Sequence, residues 1–167
     1  MQGCYAGAFI DRDDLLDSHT FGPQRHGDIE QFNQRTGKKH ASFFTYLGLQ
    51  REFPRPWCDY VREQGAFPQL AWEPQSLDQV TDELLERFVQ ALQTYDHPVM
   101  IRFAGEMNGE WTRYHGDPAA YRQTFRKVYQ ALRKAPKAAL MWCPNAVPAD
   151  NIVSYYPGDD ACDWVGV

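Results

Sequence analysis

The chain has 167 residues with a formal net charge of −5 at pH 7, and 43% of its residues are hydrophobic. This length and apolar content suffice for one domain with a buried core and argue against intrinsic disorder. The sequence has no basic stripe of the kind that binds nucleic acid and no apolar run long enough to span a membrane. We therefore expect neither a nucleic-acid partner nor a membrane partner.

Short apolar runs alternate with amphipathic segments along the chain. The apolar runs predict six β-strands, at residues 3–10, 41–47, 66–72, 98–103, 138–143 and 162–167. Helices are predicted between them, at residues 24–35, 54–65, 76–95 and 117–135. Ser76 is the expected cap of the third helix and Asp117 that of the fourth, which Pro136 ends.

The strands are near-continuous apolar runs, which is typical of parallel strands covered on both faces. A closed (β/α)8 TIM barrel needs about 250 residues, so this chain supplies about six strands of one. The rival, an open doubly wound sheet, usually has a glycine-rich phosphate turn after its first strand, and residues 7–11 lack that pattern. The sequence predicts one incomplete α/β barrel domain over residues 1–167, with outer helices and without the last strands.

The four cysteines, Cys4, Cys58, Cys143 and Cys162, lack metal-type spacing and are interpreted as buried thiols. No His pair or carboxylate cluster has ligand spacing, so we predict no cofactor and no bound metal, although a metal site stays open. His97 and His115 are interpreted as ordinary loop residues. The first residues lead straight into the first predicted strand, so we expect no signal peptide in this chain. The localisation stays open, with a secreted full-length parent among the alternatives.

Functional groups in such a barrel collect at the C-terminal ends of the strands. Aromatic rings, carboxylates and amides at these ends suit sugar binding, because flat rings cover sugar faces and polar groups bind hydroxyls. The predicted site residues are Tyr46, Trp72, Glu73, Arg102, Glu106, Asn108, Trp111 and Asn145, with Asp11 a weaker candidate. For Trp142, inside a strand, a place in the barrel interior fits at least as well.

Glycoside hydrolysis uses two carboxyl groups, about 5 Å apart for retention and about 6.5–9.5 Å apart for inversion. Glu106 is the predicted acid, and Arg102 is placed to orient a carboxylate. Glu73 could be the partner or a ligand of sugar hydroxyls, and Glu110 is expected to face solvent. Trp111, in a turn beyond the strand, is expected to contact sugar.

Residues 101–111, Ile-Arg-Phe-Ala-Gly-Glu-Met-Asn-Gly-Glu-Trp, resemble the strand-four motif of glycoside hydrolase family 26, the β-mannanase family. Residues 72–74, 141–145, 155–160 and 163–167 are similar to the ends of its third and fifth strands and to the approach to its sixth. The resemblance extends from about Ala66 onward, and its motifs are specific in combination.

This resemblance implies a (β/α)8 barrel that is endo-acting on β-linked polysaccharide, β-mannan or a related β-glycan, with retention, and that uses Glu106 as acid/base. Family mannanases usually have His before that Glu, where this chain has Gly105, which leaves the sugar and linkage open. The family nucleophile is a Glu on the seventh strand, so we expect this chain to stop before it and to be inactive alone. There are two alternatives. One is a non-catalytic carbohydrate-binding barrel, and the other is an unrelated barrel enzyme that uses Glu106 as a base near a metal.

Overall fold

The computed structural model describes residues 4–10 and 28–167. The strands are β1 (Gly7–Ala8), β2 (Ser42–Gly48), β3 (Phe67–Glu73), β4 (Val99–Phe103), β5 (Ala138–Trp142) and β6 (Trp164–Val165). The helices are α1 (Ile29–Thr36), α2 (Arg55–Glu63), α3 (Asp82–Tyr95) and α4 (Pro118–Leu132). Short 3-10 turns lie at Leu77–Gln79, Ile152–Tyr155 and Asp159–Ala161. The weaker site candidate Asp11 and the start of the first predicted helix lie outside the described residues.

The strands are hydrogen-bonded neighbours in chain order, β1-β2-β3-β4-β5-β6. The pairings of β1 with β2, β4 with β5 and β5 with β6 are parallel, with Gly7 opposite Ser42 and Val99 opposite Ala138. Parallel neighbours require crossover connections, and helices α1 to α4 supply the first four. The predicted six parallel strands of an incomplete barrel are confirmed.

Side-chain caps fix where the helices begin. Asp28 caps α1 and Asp117 caps α4, and the side chain of each accepts a bond from the backbone N–H of the third helical residue. The predicted Ser76 cap of α3 is wrong, because Ser76 precedes a separate 3-10 turn and bonds Asp78 through its hydroxyl. Thr81 caps α3 instead, accepting from the backbone N–H of Leu84.

The described residues form two compact units, and the first comprises residues 4–10, 28–45 and 54–69. Its buried apolar residues include Ile29 from α1, Phe43 from β2, and Trp57 and Val61 from α2. The backbone N–H of Ile29 donates to the Tyr60 hydroxyl at 3.0 Å, which ties the start of α1 to α2.

The second unit comprises residues 46–53 and 70–167. Trp72 stacks on Phe88 with ring centroids 3.9 Å apart, and Phe103 lies against both Trp72 and Phe125. Burying each phenylalanine ring contributes about 1.5–3 kcal/mol. This unit contains all eight predicted site residues, from Tyr46 to Asn145.

The four cysteines form no disulfide bond, and their burial differs. Cys58 and Cys143 are buried as expected, whereas Cys162 is half-buried and Cys4 is exposed. The buried-thiol interpretation is therefore wrong for Cys4 and holds only in part for Cys162. Burial raises the pKa of the Cys58 thiol well above its ordinary value. Among the described residues, no group of three or more His, Cys, Asp or Glu side chains could hold a metal ion. No helix in this part of the chain has the length and apolar character needed to cross a membrane.

Candidate active site

The loop after β4 places Glu106 at the C-terminal end of the sheet. Ala104 and Glu106 both have left-handed backbone conformations, with φ of 45° and 58°. Such conformations cost about 1–2 kcal/mol for residues with a Cβ and cluster at functional sites. Hydrogen bonds from neighbouring strands hold them, because Ala104 N donates to Trp72 O at 3.1 Å and Glu106 N donates to Cys143 O at 2.8 Å.

Two side chains donate to the same oxygen of Glu106. The indole N–H of Trp111 lies 2.8 Å from Oε2 and the amide nitrogen of Asn145 lies 3.3 Å from it. Glu106 and Asn145 therefore lie on one rim, as the positions of their strands predict. Trp111 is 59% exposed, so the indole bonds the carboxylate through its edge while much of its surface faces solvent.

Gly109 provides the space that the Trp111 ring occupies. A Cβ built on Gly109 would lie 2.2 Å from Cζ2 and 2.3 Å from Cε2 of Trp111, closer than any real contact. The indole therefore lies directly across the backbone of Gly109. Sequence reasoning did not identify Gly109, because a glycine in a turn is usually explained by backbone conformation.

A second carboxylate, Glu73 at the end of β3, lies in its own cluster. Arg102 Nη2 donates to Glu73 Oε1 at 3.1 Å, and the Tyr114 hydroxyl lies 2.8 Å from Oε2. The same hydroxyl lies 2.6 Å from the Gly105 carbonyl oxygen. We call Glu73, Arg102, Tyr114 and Gly105 the Glu73 cluster. Tyr114 is the member that the sequence did not reveal, since nothing local distinguishes it from other turn aromatics.

Charge and burial shift the pKa values of two members of this cluster, Tyr114 and Arg102. Burial and the neighbouring Glu73 carboxylate raise the pKa of Tyr114 far above its ordinary value, so the phenol stays neutral. Burial acts to lower the pKa of Arg102, but attraction and hydrogen bonding to Glu73 outweigh it and raise that pKa. The guanidinium carbon lies 5.9 Å from the ring centroid of Tyr46, within cation–π range, and Tyr46 is itself exposed.

Asn108 does not contact the rim surface, which corrects its prediction as a substrate ligand. It is fully buried, and its amide nitrogen donates to the carbonyl oxygens of Asn145 and Pro148, each at 2.9 Å. Its carbonyl accepts from the backbone N–H of Asn145 at 2.8 Å. Asn108 therefore holds the loop after β5, which carries the Asn145 amide that donates to Glu106.

Trp72 is also corrected, because it is a core residue. It is fully buried, and its indole N–H donates to Leu49 O at 3.3 Å. The near-continuous apolar character of β3 gave no sign of which face its last indole would take. Trp142 lies in the interior as well, and its ring packs against that of Tyr156 with the ring centroids 5.0 Å apart. Glu110 is exposed to solvent, as expected.

Residues 71–167 match the family model described as Glycosyl hydrolase family 26. This chain belongs to glycosyl hydrolase family 26. The family match covers the Glu73 cluster, Glu106, Trp111 and Asn145, and it agrees with the resemblance that the strand-four motif indicates.

Two curated relatives of this family 26 chain illustrate its similarity to glycan-degrading enzymes. It is 33% identical over 91 residues to a β-1,3-xylanase from an Alcaligenes species. The aligned segment covers 50% of this chain and 19% of that protein. This chain is 22% identical over 159 residues to Endoglucanase H of Acetivibrio thermocellus, covering 83% of this chain and 18% of that protein. The chain thus spans about a fifth of the length of these relatives.

Solved structures share its fold. The YdhT protein from Bacillus subtilis superimposes with a TM-score of 0.70 at 19% identity, covering 96% of this chain and 61% of that one. A GH26 β-mannanase from Bacteroides ovatus gives a TM-score of 0.68 at 16% identity, covering 98% and 60%. At such identities the similarity establishes the family 26 fold and nothing about substrate.

Proposed function

We propose that this chain forms part of an endo-acting glycoside hydrolase that cleaves β-linked polysaccharide with retention, with Glu106 as general acid and then general base. One observation carries the proposal: Glu106 lies on an open rim where Trp111 and Asn145 both donate to one of its carboxylate oxygens. Family membership supports a hydrolase, because the motif that places Glu106 lies inside the matched region.

The two donors suggest which oxygen of Glu106 would carry the catalytic proton. Oε2 accepts from both Trp111 and Asn145, so its lone pairs are engaged. In our proposal Oε1 bears the proton that passes to the leaving glycosidic oxygen and later takes one from the attacking water. Fixing the carboxylate from one side would keep Oε1 directed toward the substrate.

The sugar would contact the exposed parts of the rim. The Trp111 indole offers a flat apolar face, Asn145 offers an amide, and Tyr46 offers a half-exposed ring. The Arg102–Glu73 ion pair would bind hydroxyl groups. An oligosaccharide or polysaccharide is the proposed partner, and the named relatives make β-xylan, β-glucan and β-mannan the candidates to test first.

Glu73 is a poor candidate for the retaining nucleophile. Both of its oxygens are engaged, one by Arg102 and one by Tyr114, so attack on an anomeric carbon would require breaking one of these contacts. We therefore expect the 167 residues alone not to turn over glycan. The same observation favours the second candidate function, a non-catalytic carbohydrate-binding barrel that binds sugar through the same rim.

The test combines binding and turnover on the 167-residue chain. Titration calorimetry with β-1,3-xylotetraose, cellotetraose and mannotetraose measures binding, and a reducing-end assay on the matching polysaccharides measures cleavage. The variants are Glu106→Gln and, as a matched control, Glu110→Gln, since Glu110 is an exposed carboxylate of the same loop. Binding of at least one oligosaccharide supports the rim as a glycan site, and no binding of any of them contradicts it.

Turnover by the chain would contradict its predicted inactivity. If that turnover disappears in Glu106→Gln but persists in Glu110→Gln, the proposed role of Glu106 is supported. General acid–base assistance is worth about 10²–10⁴-fold, which sets the expected loss.

A further inference from the structure

The space beside Gly105 is filled by the guanidinium group of Arg102. A Cβ built on Gly105 would lie 2.7 Å from Nε, 2.9 Å from Cζ and 3.1 Å from Nη2 of Arg102. These three atoms belong to one planar group, which lies against the position where any side chain at residue 105 would begin. Gly105 is not among the residues with positive φ, so glycine is required here for space and not for backbone conformation.

The guanidinium cannot move away from Gly105 without disturbing the rest of the Glu73 cluster. It is bonded to Glu73 at 3.1 Å, Glu73 contacts the Tyr114 hydroxyl at 2.8 Å, and that hydroxyl contacts the Gly105 carbonyl oxygen at 2.6 Å. The contacts form a closed ring that begins and ends at residue 105. A side chain at residue 105 is therefore incompatible with the ring as it stands.

We propose that Gly105 is a specificity-determining residue. Because residue 105 has no side chain, the Arg102–Glu73 ion pair can line the site beside Glu106. There the pair selects neutral sugars over uronic acids. The inference rests on the proposed function, since it concerns the glycan bound at that site. Arg102 and Glu73 have side chains that are 14% and 23% exposed, so part of the pair can reach a ligand.

The chemistry of the pair favours hydroxyl groups. A sugar hydroxyl both donates and accepts, so it can bind a carboxylate and a guanidinium together. The pair has no net charge, and a uronate carboxylate would meet repulsion from Glu73 while competing for a guanidinium that is already bonded. Selection against uronic acids thus depends on Arg102 and Glu73 remaining paired.

A double-mutant cycle tests the packing without any sugar. Gly105→Ala is compared in the parent chain and in an Arg102→Ala background by urea unfolding. We expect Gly105→Ala to lower the folding equilibrium constant by at least about fivefold in the parent and by less than about twofold when Arg102 is absent. Gly48→Ala is the matched control, because a Cβ there meets only Arg51 Cγ at an ordinary 3.7 Å. Equal losses in both backgrounds overturn the steric pairing.

Calorimetry with matched probes tests the selectivity. The probes are β-1,4-mannotetraose and the β-1,4-linked tetramer of mannuronate, which differ in oxidation at C6, and the equivalent glucose and glucuronate pair. The parent is expected to prefer the neutral member at least about tenfold, a difference of about 1.4 kcal/mol. Glu73→Gln and Gly105→Ala should shift this ratio toward the uronate, whereas Gly48→Ala should leave it unchanged.

The outcomes separate the two proposals. If the parent binds neutral sugar and the ratio is unaltered in Glu73→Gln and Gly105→Ala, the specificity role is overturned while the proposed function stands. If the parent binds no probe, the proposed function fails and the specificity role fails with it, whatever the unfolding cycle shows. If Gly105 has a purely structural role, Gly105→Ala should lower the affinity for both members of a probe pair equally. A change in the affinity ratio excludes that purely structural role.

Discussion

Trp111 donates its indole N–H to Oε2 of Glu106 across 2.8 Å while 59% of its surface stays exposed. One residue thus combines an edge that fixes the predicted acid with a face that is open to a ligand. The two roles can be separated, because phenylalanine preserves a flat ring and lacks the N–H.

Trp111→Phe should retain most of the oligosaccharide affinity, whereas Trp111→Ala should weaken it by about 1–2 kcal/mol, as expected for an aromatic anchor. The comparison is made by titration calorimetry on the 167-residue chain. Trp164→Ala serves as the control, because Trp164 on β6 is exposed to a similar degree and has no place in the proposed site. Equal affinity in Trp111→Ala and the parent would remove Trp111 from the site.

Gly109→Ala should affect binding far more than stability. The added Cβ would lie 2.2 Å from the Trp111 ring, so the indole must leave its position over the loop. Trp111 is largely exposed and can swing into solvent, and for this reason we expect a stability change within about 0.5 kcal/mol. Its affinity for sugar should fall to that of Trp111→Ala. A large loss of stability in urea would show instead that the ring cannot move.

Asn108→Ala should destabilise the chain by about 1–3 kcal/mol, since it leaves backbone groups of Asn145 and Pro148 without their partner. Urea unfolding measures the change. Gln90→Ala, at an exposed position of α3, is the control and should lie within about 0.5 kcal/mol of the parent. An Asn108→Ala variant as stable as the parent would mean that water replaces the buried amide without cost.

The sequence predicted those parts of the fold and site that depend on local pattern. The apolar runs located all six strands, and the rule that function lies at strand ends placed Glu106 beside Asn145 and Glu73 in the same unit. The sequence-based prediction failed where contacts between distant parts of the chain decide whether a side chain is buried. Trp72 and Asn108 were expected on the rim, but Phe88 and the loop after β5 bury them. Tyr114 joins Glu73 from 41 residues away, a relationship that no local signal reveals.

Helix ends offer a stability test outside the site, with two substitutions of opposite sign. Asp96 ends α3 with φ of 53° and Gly37 ends α1 with φ of 64°. Asp96→Gly should stabilise the chain by about 0.5–1 kcal/mol, because glycine adopts this conformation without strain, and the lost contact with Lys137 is exposed and weak. Gly37→Ala should destabilise it by about 1 kcal/mol. The stability changes of both variants are measured from urea unfolding midpoints. Changes of the same sign would contradict the predicted effect of glycine at these helix ends.

Buried thiols should make stability fall as the pH rises above about 8.5, the pKa of a thiol in an unfolded chain. Burial raises the pKa of Cys58 and of Cys143, although the Arg102 guanidinium partly opposes this for Cys143. Above pH 8.5 the unfolded thiols lose protons that the folded ones keep, so the unfolded chain binds fewer protons and is favoured. The contribution of the buried thiols to folding stability is fully present below the pKa of the unfolded thiol. It is lost as the pH rises toward the pKa of the thiol in the folded chain.

The expected slope for Cys58 approaches about 1.4 kcal/mol per pH unit, measured by urea unfolding between pH 8 and 9.5, below the range where tyrosines titrate. Cys58→Ala should reduce this slope, while Cys4→Ala should not, because Cys4 is exposed. Alkylation with iodoacetamide gives an independent check, since Cys4 should react in the folded chain and Cys58 only on unfolding. Equal reactivity of Cys4 and Cys58 in the folded chain, or a slope that survives in Cys58→Ala, would contradict the burial of this thiol.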